Sequence, residues 1–288
     1  MHIDKFEEAI MNCRFCFMCR HLSAIGNVRF TEVDTPRIRA AMLYGLRTGT
    51  NSFDDEDFVD ALYRQDLSAC CVHHCVNHYD ENGLALAARA DVVEAGKAPE
   101  AVKKLAAKFV KSVGWKAEGA GDVAWFLDET TAADKAVVAA TKKLFAAAKV
   151  SPKVITGGSI GKALKVLGFL PEAKAAAEQF AAFLKAEGVK TLVVSNPTAV
   201  NALKQDYPEF GVKLPCDVKS MAGFVVQAKL KFTKAAGEVY ALAEYVAARA
   251  DDPKKDRFVV ASAYVKKALT KYGKLDVVTI EELAASCL

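Results

Sequence analysis

Apolar positions at helical spacing dominate the first hundred residues. Residues 4–12 set Phe6, Ala9 and Ile10 on one face of a short helix. Thr35 followed by Pro36 reads as a helix start, because a proline in the first turn has no amide to leave unpaired. Asn51-Ser52-Phe53-Asp54-Asp55-Glu56-Asp57 is a second start, with acids where the helix dipole favours negative charge, and its helix runs over residues 58–67. A further helix begins near Asn82 and continues to Gly96. This region reads as helix and loop throughout.

The pattern changes at Asp122. Val123-Ala124-Trp125-Phe126, Val154-Ile155-Thr156 and Thr191-Leu192-Val193-Val194-Ser195 are short β-branched or aromatic runs. They alternate with Ala-rich helical stretches over residues 132–149, 159–167 and 171–187, the last stopped by Gly188. Such alternation implies a parallel sheet with helices on both faces. There is also an internal echo: residues 192–207 parallel 258–272, and each leads into a further strand and helix, 216–221 and 276–283. Two related Rossmann-like lobes are expected.

Charge divides the chain in the same way. Residues 1–100 carry 10 Lys and Arg against 16 Asp and Glu, net −6, which leaves 29 against 19, net +10, for the remaining 188. All five histidines and eight of the ten arginines fall in the first hundred. The lysines of the basic part recur at helical intervals among Ala and Glu, without an Arg cluster or aromatic run, so they read as solvated helix surface and not as a nucleic-acid interface. No run approaches the roughly 20 apolar residues of a membrane span. The start, Met1-His2-Ile3-Asp4-Lys5, lacks the basic and apolar regions of a secretory signal, so a cytoplasmic location is expected, where clustered cysteine means metal or catalysis.

Cys13-Arg14-Phe15-Cys16-Phe17-Met18-Cys19 places three thiols at two consecutive spacings of three, which suits the face of a cubane iron–sulfur cluster. Structural zinc more often takes two separate pairs, although His73, His74 and His78 beside Cys75 keep zinc open. Two-cluster ferredoxins repeat a Cys-x-x-Cys-x-x-Cys-x-x-x-Cys run, the fourth Cys of each serving the other cluster. On that template the first run's fourth place is Ser23, and the second run's places are Gln65, Ser68, Cys71 and Cys75. One ligand set survives: Cys13, Cys16, Cys19 and Cys75 for a single [4Fe-4S] cluster. Cys70 or Cys71 could substitute for Cys75, but only Cys75 stands at the template position.

Gly157-Gly158-Ser159-Ile160-Gly161-Lys162 follows a strand but misses both the phosphate-loop spacing and the dinucleotide fingerprint, and so reads as a tight strand-to-helix turn. Cys216 and Cys287 stand alone, as small buried apolar residues or, for Cys287, at a frayed terminus.

The order of the first Cys run, Thr35-Pro36-Arg37-Ile38-Arg39, the second run ending Cys75-Val76, and Ala88-Arg89-Ala90-Asp91-Val92-Val93-Glu94-Ala95-Gly96 resembles the iron–sulfur subunits of glycolate oxidase and lactate-utilisation systems, relatives of heterodisulfide reductase subunits. The resemblance implies an α+β protein, with a helical ferredoxin-like cluster domain over residues 1–112 followed by α/β Rossmann-like lobes over 113–288. It further implies that Ile155-Thr156-Gly157-Gly158 stands where relatives carry Cys-Cys-Gly-Gly, and Ser195-Asn196-Pro197-Thr198-Ala199 where they carry Cys-Pro-Ser-Cys, so the second domain is a degenerate Cys-Cys-Gly scaffold. The implied function is single-electron transfer with an FAD-dependent 2-hydroxyacid dehydrogenase partner and a further electron carrier, with no catalytic residue in this chain. The alternatives are a reductase subunit acting on a disulfide or quinone, and a zinc-stabilised assembly module.

Overall fold

A computed structural model describes residues 1–69, 71–72, 74–237, 239–241 and 257–288. Cys70 and His73 lie outside the described residues. The protein is mixed α/β and divides into two compact units. The first comprises Met1–Lys111 with Ala163–Ala173, and the second Ser112–Lys162 with Lys174–Leu288. Among the described residues no helix is long and apolar enough to cross a membrane.

In the first unit the helices are α1 (Glu7–Asn12), α2 (Ala24–Arg29), α3 (Pro36–Thr48), α4 (Glu56–Arg64), α5 (Glu81–Glu94) and α6 (Glu100–Lys111). Short polar side chains cap α2, α4 and α5, as backbone donors without helical partners demand. Ser23 accepts from the Gly26 amide, Asp55 from Asp57 and Phe58, and Asp80 from Gly83. Ile3, Ile10, Leu43, Phe58, Leu62 and Leu84 form the core between them. Helix α4 ends at Arg64, three residues before the sequence suggests, because its last carbonyls are taken by a buried guanidinium: Arg89 donates to Leu62 O through Nε (3.0 Å) and to Gln65 O through Nη2 (3.0 Å). Arg89 also reaches Val166 O, in the segment that returns to this unit. Burial lowers its pKa to about 10.

Among the described residues the second unit holds two sheets. The larger has strands β1 (Trp115–Glu118), β2 (Val123–Leu127), β3 (Lys153–Gly157), β4 (Thr191–Val194) and β5 (Asp217–Ser220) in the order β1-β3-β2-β4-β5. All neighbours are parallel except β1, which runs antiparallel to β3. Strand β1 alternates half-buried and exposed residues, as an edge does, and is too polar to be read as a strand from its sequence. The smaller sheet is parallel, β6 (Tyr240–Ala241), β7 (Arg257–Val260) and β8 (Asp276–Thr279) in that order.

The internal echo has a structural counterpart. Strand β4 leads into the helix Pro197–Asn201 and then a π-helical turn, Ala202–Asp206; β7 leads into Ala263–Ala268 and a π-helical turn, Leu269–Gly273. Each strand then pairs in parallel with the next, Leu192 against Val218 and Phe258 against Val277. Widened turns of this kind are rare. Their recurrence at matching places supports repetition of one unit of chain.

Gly157 and Gly158 serve packing, not anion binding. A Cβ on Gly158 would stand 1.6 Å from Ser112 O, and one on Gly157 2.3 Å from Gly114 O. The nearby amides are already used: Gly158 N donates to Gly114 O (3.1 Å) and Gly161 N to Ser159 Oγ (3.2 Å). Gly158→Ala is therefore expected to destabilise the second unit by about 2 kcal/mol, as overpacking against fixed backbone does. The check is chemical unfolding followed by tryptophan fluorescence, since Trp115 and Trp125, the chain's two tryptophans, both lie in this unit.

Candidate metal centre

Helix α1 stops at Asn12, and Cys13 continues in an extended conformation, opening the first thiol turn. The turn is tightened at Phe15, which adopts a left-handed backbone (φ 50°) costly for a bulky side chain. Two contacts hold it there. Arg37 Nε, from the second residue of α3, donates to Phe15 O at 2.7 Å, and the Phe15 ring meets Tyr44 edge-on at 5.6 Å. The second thiol segment has left-handed residues at Leu67, Ala69 and His78, and is closed by amide bonds from His74 and Cys75 to Cys71 O (3.1 and 2.8 Å). The segments are joined directly: Asn77 Nδ2 donates to Asn12 O, and the rings of His21 and His74 meet edge-on at 5.3 Å.

This fold places Cys13, Cys16, Cys19 and Cys75 around one cavity of about 90 Å³, with Pro36, Ala40, Met18, Val76 and Tyr79 among its walls. Cys16 is exposed and the other three are half-buried. Burial raises the Cys13 thiol and pushes Cys19 up to about 11, and each feels neighbouring sulfurs: Cys75 and Cys16 act on Cys13, Cys13 and Cys16 on Cys19. The Phe15 amide hydrogen-bonds the Cys13 sulfur and works in the opposite direction. Soft donors gathered in an apolar hollow give up their protons readily only to a soft metal centre. A single tetrahedral zinc, with Zn–S about 2.3 Å, would hold its sulfurs about 3.8 Å apart. No three of the described sulfurs lie within 4.8 Å of one another.

Cys71 also touches the cavity, but its thiol is 1% exposed and donates to Glu81 Oε2 at 3.2 Å. Glu81 is the hub of a buried network: its side chain pairs with Arg39, and its carbonyl accepts from Gln65 Nε2 at 3.1 Å. Arg39 also donates to Asp34 O (2.7 Å), to which Ser23 Oγ donates as well (2.7 Å). Three of the four places a second cluster would occupy, Ser23, Gln65 and Cys71, are thus stitched together by an ion pair, while Ser68 is exposed. Glu81 is not marked out by the sequence, and Arg39 only as part of the Thr35-Pro36-Arg37-Ile38-Arg39 motif; a charged residue on an otherwise apolar helix face was the available signal. His74 and His78 are exposed and outside the cavity lining.

His2, Asp91 and Glu94 form the one trio of ligating groups within 4.8 Å among the described residues. Their atoms are engaged: Asp91 accepts the amides of His2 and Ile3, and His2 Nε2 bonds Glu94 Oε1 at 2.7 Å. The trio pins the chain start to α5.

In the second unit Cys216 is half-buried against the sheet core and burial pushes its thiol up to about 11. Cys287 is not frayed: it is buried, and its carbonyl accepts the Thr233 amide at 2.8 Å. At the ends of the parallel strands, Asn196 caps the helix Pro197–Asn201 and donates to Asp128 Oδ1 (3.3 Å), and Trp125 Nε1 donates to Ser195 Oγ (3.3 Å). Glu281, buried and with its carboxyl raised by desolvation, hydrogen-bonds Ser195 and Thr279. At these strand ends, where ligands commonly bind in parallel sheets, the chain's own side chains bond to one another.

Comparison with family models, curated proteins and solved structures finds no match to this chain.

Proposed function

We propose that Cys13, Cys16, Cys19 and Cys75 hold one [4Fe-4S] cluster in a ferredoxin-like first unit, and that the protein is an electron-transfer subunit. In this reading it works in a reducing cytoplasm beside an FAD-containing 2-hydroxyacid dehydrogenase of the glycolate or lactate type. The observation that carries the proposal is the convergence of four thiols, from segments more than fifty residues apart, on one apolar cavity. A cubane bound there would take up and release one electron at a time. The chain's residues would supply the rest: apolar walls limit water, the Phe15 amide donates to the Cys13 sulfur, and Arg37 fixes the turn that presents Cys16.

A catalytic reductase reading would require ligands in the second unit, where Ile155, Thr156, Asn196 and Ala199 stand, so electron transfer is preferred. The test is metal analysis of anaerobically purified protein. About four irons and four sulfides per chain are expected, with broad absorbance near 400 nm. Stoichiometric zinc without sulfide would overturn the proposal in favour of an assembly module.

A further inference from the structure

The rim of the thiol cavity is unlike the rest of its unit. Residues 13–40 carry five arginines, Arg14, Arg20, Arg29, Arg37 and Arg39, against Glu32 and Asp34, net +3, whereas residues 1–100 together are net −6. The remainder of that hundred is therefore net −9, and the basic charge is concentrated where the thiols are. Arg39 is buried and paired with Glu81, so Arg14, Arg20, Arg29 and Arg37 reach the surface against these two acids, an excess of two positive charges. Glu32 is shared between Arg20 and Arg37, and Asp34, itself buried, pairs with Arg29 and Arg64.

Large apolar side chains stand out in water on the same stretch and on the facing segment. Phe17 is 66% exposed, Met18 51%, Val76 79% and Phe30 92%. Phe17, Arg20 and Phe30 border a second hollow of about 710 Å³, and Arg37, which stacks on the Phe17 ring at 4.4 Å, lines the thiol cavity. Phe30 is held outward in a left-handed backbone (φ 55°) at the end of α2. Scattered apolar residues on a surface need no explanation, but a group of them bordering a candidate redox site does.

We propose that Phe17, Met18, Phe30 and Val76, with Arg14 and Arg20, form the docking face for an acidic flavoprotein, whose carboxylates surround an apolar patch at the flavin edge. The proposal rests on the electron-transfer reading and adds where the partner sits and what sign of charge it presents. An apolar centre excludes water between the redox groups, and opposite charge at the rim speeds encounter and falls off with salt.

The probes are a purified flavodoxin, an acidic flavin protein, and cytochrome c, a basic haem protein of similar size. Iron is counted first on every sample, so that absence of a cluster is read as failure of the proposed function and not of the docking face. Binding is then measured by surface plasmon resonance, which needs no cluster, and electron exchange by anaerobic stopped flow on iron-loaded samples. Flavodoxin should bind the native chain more tightly than cytochrome c does, with affinity and exchange rate falling about tenfold between about 20 and 300 mM salt. Phe30→Ser should weaken binding about tenfold without changing iron content; Arg14→Glu, whose side chain lines the thiol cavity, should weaken it about tenfold when compared at equal iron loading, and Arg14→Lys should restore it. Tighter binding of cytochrome c, a flat salt dependence, or variants that bind flavodoxin as well as the native chain would each overturn the proposal.

Discussion

Anaerobically purified Cys75→Ser protein is expected to carry less than about one iron per chain, against about four for the native chain, and to lose the absorbance near 400 nm, while Cys71→Ala keeps both. The distinction is chemical as well as positional. Both sulfurs reach the cavity, but Cys71 is fully buried and its thiol donates to Glu81, a carboxylate already paired with Arg39. Drawing Cys71 into a cluster would break that bond and leave part of a buried carboxylate without a donor, which costs about 1–3 kcal/mol or more. Cys75 is half-buried, acts on Cys13 electrostatically, and is held by its own amide bond to Cys71 O. Iron retained in Cys75→Ser and lost in Cys71→Ala would reverse the assignment and make Cys71 the fourth ligand. Loss in both would mean that Cys71 acts on the site through Glu81, and the iron content of Glu81→Gln would decide that.

What the sequence makes legible follows from how local each determinant is. The change from a helical pattern to alternating strands and helices near Asp122 depends on spacing alone: β2 to β4 lie close to the apolar runs that suggest them, and β5 lies where the internal echo places a strand. The ligand count at the second Cys run is also local, and the four thiols that it leaves do meet around one cavity. Strand β1 escaped because an edge strand buries little, and the end of α4 was misplaced because it is set by Arg89, 25 positions beyond Arg64. The motifs behind the family resemblance acquire separate physical roles. Arg37 fixes the Phe15 turn, Arg39 pairs with Glu81, Arg89 captures the end of α4, and Asp91 holds the amides of His2 and Ile3. Periodicity alone does not assign these roles, since each is a single polar residue whose partner is distant in sequence.

Arg39→Met is expected to cost about 3–5 kcal/mol, because it strands the Glu81 carboxylate in a place where both partners are 3% exposed. The double variant Arg39→Met/Glu81→Leu should recover most of that loss, since a buried pair exchanged for apolar side chains of similar volume is often neutral. The surrounding donors and acceptors keep other partners: Ser23 Oγ still donates to Asp34 O, Gln65 still donates to the backbone carbonyl of residue 81, and the Cys71 thiol still reaches Tyr79 O at 3.7 Å. Urea unfolding followed by far-ultraviolet circular dichroism reads the helices of both units and tryptophan fluorescence the second unit alone, so a dichroism change without a matching fluorescence change belongs to the first unit. The expected result is an early shift of the dichroism transition in the single variant, its near return in the double variant, and an unmoved fluorescence transition in both. If the pair stands where a second cluster's ligands would otherwise converge, it contributes specificity more than stability, keeping Ser23, Gln65 and Cys71 engaged with one another and away from metal. The double variant then has a second expected signature, near-native stability with iron content still about four. A double variant as unstable as Arg39→Met would show instead that the ion pair itself holds the two thiol segments together.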